Sequence, residues 1–218
     1  MEQEFWIERY RTHRIGFHQP DGNPFLRRFA DRFPPGSRVL VPLCGKTPDL
    51  KFLADRGHEV VGVEFVESAA KAFFQEQGLT AEERTTSVGK VYSSGSIQIF
   101  VQDFFHASRE ELGDVRAVYD RASMIALPPH DRIHYATHLR RLLPRDGLIL
   151  LILLSFGKER LSGPPFSVTM DEVERHYGDA AIEVLESHVE HAEAPHLEDH
   201  QEEVRANVLL ISNAGPSA

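Results

Sequence analysis

With 218 residues the chain has material for one full hydrophobic core and too little for two comfortable domains, so a single domain over 1–218 is expected. Its 24 basic residues against 33 acidic ones leave a net charge of −9, which argues against nucleic acid as a partner because phosphate backbones are held by clustered Lys and Arg. A composition of 41% hydrophobic and 26% charged residues is that of a soluble globular protein, and the lone Cys44 excludes an internal disulfide.

In chain order, Glu4 to Tyr10 is apolar on one side through Phe5, Trp6 and Tyr10, and Asn23-Pro24 opens a second helix through Phe33. Residues 1–35 are read as an N-terminal lid segment lying across the sheet edge, closed by the turn Pro34-Pro35-Gly36. The start, Met-Glu-Gln-Glu-Phe, lacks the basic and apolar regions of a secretory signal; with the single cysteine this gives a cytoplasmic expectation.

Seven strands are predicted, at 38–43, 59–65, 97–102, 115–120, 147–155, 181–189 and 204–212. The helices between them are Pro48 to Gly57, with Leu50, Leu53 and Ala54 on one face, and Glu67 to Gly78, with Ala70, Phe73 and Phe74 spaced for burial. Pro128 to Leu143 is a third, carrying Ile133, Ala136, Leu139 and Leu143 on one face. The aliphatic run Leu148 to Leu154 is far short of the roughly 20 residues a membrane helix needs, so no membrane is expected and the run reads as a central strand. Ala192 to Glu203 is too short and polar for a covering helix, so the last two strands should pair antiparallel. The expected fold class is α/β: a mostly parallel seven-stranded sheet with an antiparallel edge and helices on both faces.

The first strand runs into Val39-Leu-Val-Pro-Leu-Cys-Gly45-Lys, and Glu64 ends the second strand nineteen residues after Gly45. Gly45 permits close backbone approach, and the helix beginning near Thr47 turns unpaired N–H groups the same way. The other two glycines of a G-x-G-x-x-G dinucleotide fingerprint are absent, which disfavours NAD and FAD. Glu64 is either a surface acid or a carboxylate for ribose hydroxyls; the buried character of Val60-Val-Gly-Val favours the second. Gln102 and Asp103 end the third strand, where an amide or carboxylate can hold an adenine amino group, and Asp103 can equally cap the short Ser108 to Leu112 helix. Arg121, after Tyr119-Asp120, suits a ligand carboxylate, the alternative being an Asp120–Arg121 salt bridge on the rim.

This arrangement resembles the Rossmann-like methyltransferases that use S-adenosylmethionine. Within that class, Phe5-Trp6-x-x-Arg9-Tyr10, Gly16-Phe17-His18, Pro42-Leu43-Cys44-Gly45-Lys46, Ala54-Asp55-Arg56-Gly57-His58-x-Val60-x-Gly62-x-Glu64, Asp120-Arg121-Ala122 and Gly163-Pro164-Pro165-Phe166 are similar to the thiopurine S-methyltransferase family, over Trp6 to about Tyr177. The resemblance implies that Tyr10, Leu43, Glu64 and Arg121 hold the cofactor, with Gly45 in the same loop, that Trp6 and Phe17 close over it, and that Gln102 and Asp103 meet the adenine side. It also implies an acceptor pocket formed by Phe17 with Pro164, Pro165 and Phe166. Bacterial members usually carry tryptophan where Tyr10 stands. The mammalian enzyme has an acceptor-side arginine that Ala194 to His200 lacks, with His196 in that region.

The implied activity is methyl transfer from S-adenosylmethionine to the sulfur of aromatic or heterocyclic thiols, giving S-adenosylhomocysteine. Alternatives are methylation of small inorganic nucleophiles (selenium, tellurium or halide species) and a catalytically silent S-adenosylmethionine-binding protein. A sulfonium brings its own leaving group, so no metal and no strong base are expected; Arg121 and His18 would position the reactants, and Asp21 could assist. The partner is a small-molecule thiol or chalcogen acceptor and the chain a monomer. His130, His134 and His138, and His188, His191, His196 and His200, read as solvated faces rather than metal sites, and Cys44 as a small buried turn residue.

Overall fold

The computed structural model describes residues 3–121, 123–156, 163–192 and 202–213. The chain divides into two compact units, one running to Tyr119 and the other starting at Asp120.

The first unit opens with α1 (Gln3–Arg11), whose residues all keep some exposure. Asn23 then caps α2 (Pro24–Phe29), its side-chain oxygen accepting the N–H of Phe25 at 2.9 Å and of Leu26 at 3.4 Å, while proline fills the first helical position where no N–H is needed. The helix expected through Phe33 stops at Phe29 and tightens into a 3₁₀ turn, Ala30–Arg32. The strands of this unit are β1 (Arg38–Pro42), β2 (Glu59–Glu64), β3 (Glu82–Thr86), β4 (Gly89–Ser94), β5 (Ile97–Val101) and β6 (Val115–Arg121), β6 running on into the second unit. Their order is β3-β4-β5-β2-β1-β6. β2–β1, β1–β6 and β2–β5 are parallel, as buried Val, Ile and Leu runs joined by crossovers require. Helices α3 (Asp49–Asp55) and α4 (Glu67–Glu76) pack on β2 and β5, burying Leu50, Leu53, Ala70, Phe73 and Phe74 as their spacing predicts.

β3 and β4 are an antiparallel hairpin absent from the sequence reading. Glu82-Glu-Arg-Thr-Thr faces solvent almost throughout, so it carries no apolar alternation to find. Polar side chains support it instead: Tyr92 donates its hydroxyl to Glu67 at 2.6 Å and Glu83 at 3.0 Å, and Lys90 pairs with both carboxylates.

The second unit contains α6 (Ser123–Ala126), α7 (Pro129–Leu142), β7 (Leu148–Ser155), α8 (Met170–Tyr177), β8 (Ala181–Ala192) and β9 (Glu202–Ser212); the short α5 (Arg109–Leu112) precedes β6 in the first. β9 lies between β7 and β8 and pairs antiparallel with each. All seven predicted strands are therefore present. The helix-free reading of the 192–203 connection falls almost wholly outside the described residues. On α7 the buried face is Arg132, Tyr135, Ala136, Leu139 and Leu142, with Leu143 just beyond, whereas Ile133 is 42% exposed. Ile133 stands one position off the i, i+3, i+4, i+7 stripe, which starts instead at the buried Arg132.

Candidate functional site

Register brings the chain to one edge. Pro42 pairs with Val63, and Glu64 pairs with Val101, so the loop after β1, the last residue of β2 and the residues after β5 all emerge at neighbouring carboxyl ends. This is where open α/β sheets bind ligands. The loop after β1 turns through two residues of positive φ, Leu43 at 47° and Gly45 at 55°. Leu43 there is a strained position of the kind concentrated at functional turns. Cys44 is buried, and a Cβ at position 62 would come within 2.7 Å of its Sγ. Gly62 in the middle of β2 thus makes the space in which the loop folds down, and Cys44 is the packed turn residue expected, its thiol pushed up by burial and then by Glu64.

Glu64 is 5% exposed. One carboxylate oxygen accepts the N–H of Gly45 at 2.9 Å and the other the N–H of Val66 at 2.7 Å. Burial pushes its carboxyl up to about 7, against the pull of those amides. A carboxylate has about four lone-pair sites, so the two N–H groups of Gly45 and Val66 do not exhaust its capacity to accept.

Gln102 follows β5, its backbone N–H donating to the Glu64 carbonyl at 3.2 Å. Its side chain is only 8% exposed, yet neither Oε1 nor Nε2 has a partner among the described residues. A buried primary amide left without partners is unusual and calls for a ligand carrying both a donor and an acceptor. Asp103 accepts the N–H of Phe105 at 3.0 Å and a contact from Gln3 Nε2 at 3.4 Å. It therefore caps the 3₁₀ turn Phe104–His106 rather than the helix after Ser108, which Ser108 and Glu111 cap reciprocally.

The N-terminal segment reaches this edge. A Cβ on Gly45 would collide with Tyr10 Oη, so the phenol sits directly over the glycine. Phe17 makes edge-to-face contacts with Trp6 at 5.5 Å and with Tyr10 at 6.1 Å. The Tyr10 phenol is raised by burial, then by Glu64 and Cys44, and stays protonated. Trp6, Tyr10, Phe17, Leu43, Gly45, Glu64, Gln102 and Asp103 all belong to the first unit. His18 closes a turn, donating its backbone N–H to Ile15 at 2.8 Å.

The second unit carries Arg121, Pro164, Pro165 and Phe166. Asp120 is not on a rim: it is 0% exposed and accepts from the Tyr135 hydroxyl at 2.7 Å and the Ser123 N–H at 3.2 Å. Burial raises its carboxyl to about 6. These bonds hold the end of β6, whose last residue is the partly exposed Arg121. Phe166 is half-buried, its N–H donating to the Ile125 carbonyl at 2.7 Å and its ring covering Gly163. His196 and Ala122 lie outside the described residues. Sequence reasoning missed Asp49, which accepts from Asn23 N–H and the Tyr119 hydroxyl at 2.8 Å each, and Arg132. Their signal was positional, a charge on a face otherwise apolar. Among the described residues no group of three or more His, Cys, Asp or Glu is arranged to hold a metal.

The features fit an adenosine: a backbone cradle at Gly45, a buried carboxylate with acceptor capacity to spare at the end of β2, and an orphaned amide after β5. Solved structures share this architecture. A Burkholderia thailandensis 1,6-didemethyltoxoflavin-N1-methyltransferase, solved with its substrate and S-adenosylhomocysteine, matches with a TM-score of 0.66 at 12% identity, covering 96% of this chain and 86% of that one. A SAM-dependent methyltransferase of Anabaena variabilis matches with a TM-score of 0.62 at 19% identity, covering 86% and 82%. The fold is that of the Rossmann-like methyltransferases.

The thiopurine S-methyltransferase family pattern matches residues 1–212. A thiopurine S-methyltransferase of Pseudomonas fluorescens is 45% identical over 180 residues, 82% of this chain and 81% of that protein. The chain belongs to the thiopurine S-methyltransferase family.

Proposed function

We propose that the protein transfers a methyl group from S-adenosylmethionine to the sulfur of aromatic or heterocyclic thiols, releasing S-adenosylhomocysteine. The observation that carries this reading is the Gln102 amide, buried without partners among the described residues, at the strand end next to the Glu64 carboxylate. Glu64 accepts from the two ribose hydroxyls and Gln102 from the adenine amino group, while the loop at Leu43 and Gly45 lets the backbone approach. Asp103, tied to the turn it caps, borders the adenine side. Trp6, Tyr10 and Phe17 cover the nucleoside and exclude water. In the first unit His18 helps position the reactants beside Phe17; in the second Arg121 meets a carboxylate, and Pro164, Pro165 and Phe166 belong to the acceptor loop.

When bound, S-adenosylmethionine supplies a methyl group on a positively charged sulfur that is its own leaving group. The chain's work is then orientation and desolvation. The acceptor thiol loses its proton before attack, a step that ring thiols make easily, so no buried base beside Phe166 is required. Aromatic walls suit a reaction in which opposite charges cancel.

No described helix is long and apolar enough to cross a membrane. We take 1–218 as one catalytic domain with 1–35 as its lid, acting as a monomer on small thiol or chalcogen acceptors in the cytoplasm. The test has two arms: calorimetry with S-adenosylhomocysteine on the native chain and Glu64→Ala, and a labelled-methyl screen of thiophenols, thiopurines, selenite and halides. Tight binding that Glu64→Ala weakens by about 1–3 kcal/mol, with label on the thiols, is the expected result. Label on selenite or halide alone replaces the acceptor assignment, and no transfer to any acceptor replaces the enzymatic one.

A further inference from the structure

Arg132 sits on α7 with its side chain fully out of solvent. A buried guanidinium is costly unless its charge and N–H groups are met, so its placement calls for a reason. Its contacts converge on the segment from Gly163 to Glu172. Nε donates to the Leu127 carbonyl at 3.0 Å and Nη1 to the Ser167 carbonyl at 3.1 Å. Nη1 also meets both oxygens of Glu172, at 2.9 and 2.8 Å. The guanidinium carbon lies 5.8 Å from the centroid of the Phe166 ring.

Phe166 is thereby held from several directions. Its own N–H is fixed to Ile125, its ring presses on Gly163, and the next residue, Ser167, is clamped by a hydroxyl that both donates to and accepts from the Phe156 backbone at 2.9 Å. Arg132 adds a positive charge beside the ring. The Glu172 carboxylate balances that charge at Nη1, whereas Nη2 is buried with no partner among the described residues. A ring that already has a cation at hand is a poor further host for a sulfonium, and the guanidinium edge at Nη2, which Glu172 does not meet, favours an electron-rich or anionic group over the ring.

We propose that Arg132 is a positioning and specificity-determining residue: it sets Phe166 in place and biases the acceptor pocket toward ionised aromatic thiols, thiolates, over neutral ones. The inference rests on the reading of Gly163 to Phe166 as the acceptor loop.

The test compares Arg132→Lys, Arg132→Gln and Phe166→Leu with the native chain. KM and kcat are measured for para-substituted thiophenols running from methoxy to nitro at several pH values, with the Kd of S-adenosylhomocysteine and the melting temperature alongside. Arg132→Lys keeps the charge and loses the fork, so acceptor KM should rise about tenfold with kcat and nucleoside Kd nearly unchanged, the mark of lost acceptor binding. Arg132→Gln should in addition flatten the preference for the more acidic, more fully ionised thiols. A folded Arg132→Lys with native acceptor KM overturns the inference, as does a nucleoside Kd that worsens in step with acceptor KM, which marks general loosening. If Arg132→Lys does not fold, Glu172→Gln, which keeps the guanidinium and removes its counter-charge, should sharpen the preference for the more acidic thiols, and an unchanged preference there overturns the inference. Phe166→Leu separates the two levels: native acceptor KM there removes the acceptor-loop reading itself, whereas a raised KM there beside a native Arg132→Lys removes only the role of Arg132.

Discussion

If Glu64 holds the ribose as proposed, its carboxyl, pushed up to about 7 by burial, should make nucleoside binding depend on pH in the physiological range. Ribose hydroxyls need the ionised form as acceptor, so binding requires loss of a proton that the unliganded site holds at low pH. For a group with a value near 7, affinity for S-adenosylhomocysteine should be close to its plateau at pH 8, about tenfold weaker at pH 6 and about a hundredfold weaker at pH 5. Fold stability runs the other way. The folded value lies above the ordinary 4.5, so the group's contribution is present in full below about 4.5 and is lost as pH climbs through about 7. One pKa unit is worth about 1.4 kcal/mol, so that loss is at most about 3 kcal/mol. Calorimetry from pH 5 to 8, in two buffers of different ionisation enthalpy, reads both the affinity and the proton released. Glu64→Gln removes the titrating group and should flatten the profile. A native profile flat from pH 6 to 8, or a Glu64→Gln profile parallel to it, would refute the assignment of Glu64.

Three further outcomes follow from the same geometry. Gln102→Leu removes two orphaned polar atoms, so it should stabilise the unliganded chain by about 1 kcal/mol in denaturant unfolding while weakening S-adenosylhomocysteine binding about tenfold or more; unchanged binding detaches Gln102 from the site. Gly45→Ala places a methyl group against Tyr10 Oη at positive φ and should cost about 1–2 kcal/mol, part of which Tyr10→Phe restores in the double variant; strict additivity would show that the two residues do not touch. Tyr135→Phe takes a donor from Asp120, whose value is raised from 3.8 to about 6, so its own contribution to stability is full below about 3.8 and lost as pH rises through about 6. Above that pH the bare charge needs its donors, so the variant should lose about 1–3 kcal/mol at pH 8 and less at pH 5. Equal losses at both would place the Asp120 titration elsewhere.

The parallel strands were legible because burial on both faces leaves continuous aliphatic runs, and their helices because Leu50–Leu53 and Phe73–Phe74 keep helical spacing. The β3–β4 hairpin was not, since its stability comes from Glu67, Glu83, Lys90 and Tyr92 meeting across sequence distances that periodicity does not sample. At the candidate site, the burial of Glu64 was legible from its position at the end of an aliphatic run. The orphaned state of Gln102 could not, because absence of partners is a property of packing. The rim alternative for Asp120 fails and Arg132 goes unread for a shared reason: a charge gives no periodic sign of burial, while the partners that hold both inside, Tyr135 and Glu172, stand 15 and 40 residues away. Ile133, displaced to solvent by Arg132, shows the same from the other side.

The way Gly62 makes room for Cys44 also bears on how this chain coexists with its own chemistry. An enzyme that activates a methylating agent for attack by sulfur has to keep its native sulfhydryl from becoming the acceptor. Here the lone thiol is tucked under the turn with its proton retained. A buried, protonated thiol is a poor nucleophile, so self-alkylation should be slow and a colorimetric disulfide reagent should detect no thiol on the folded protein, leaving a clean blank for following added thiols.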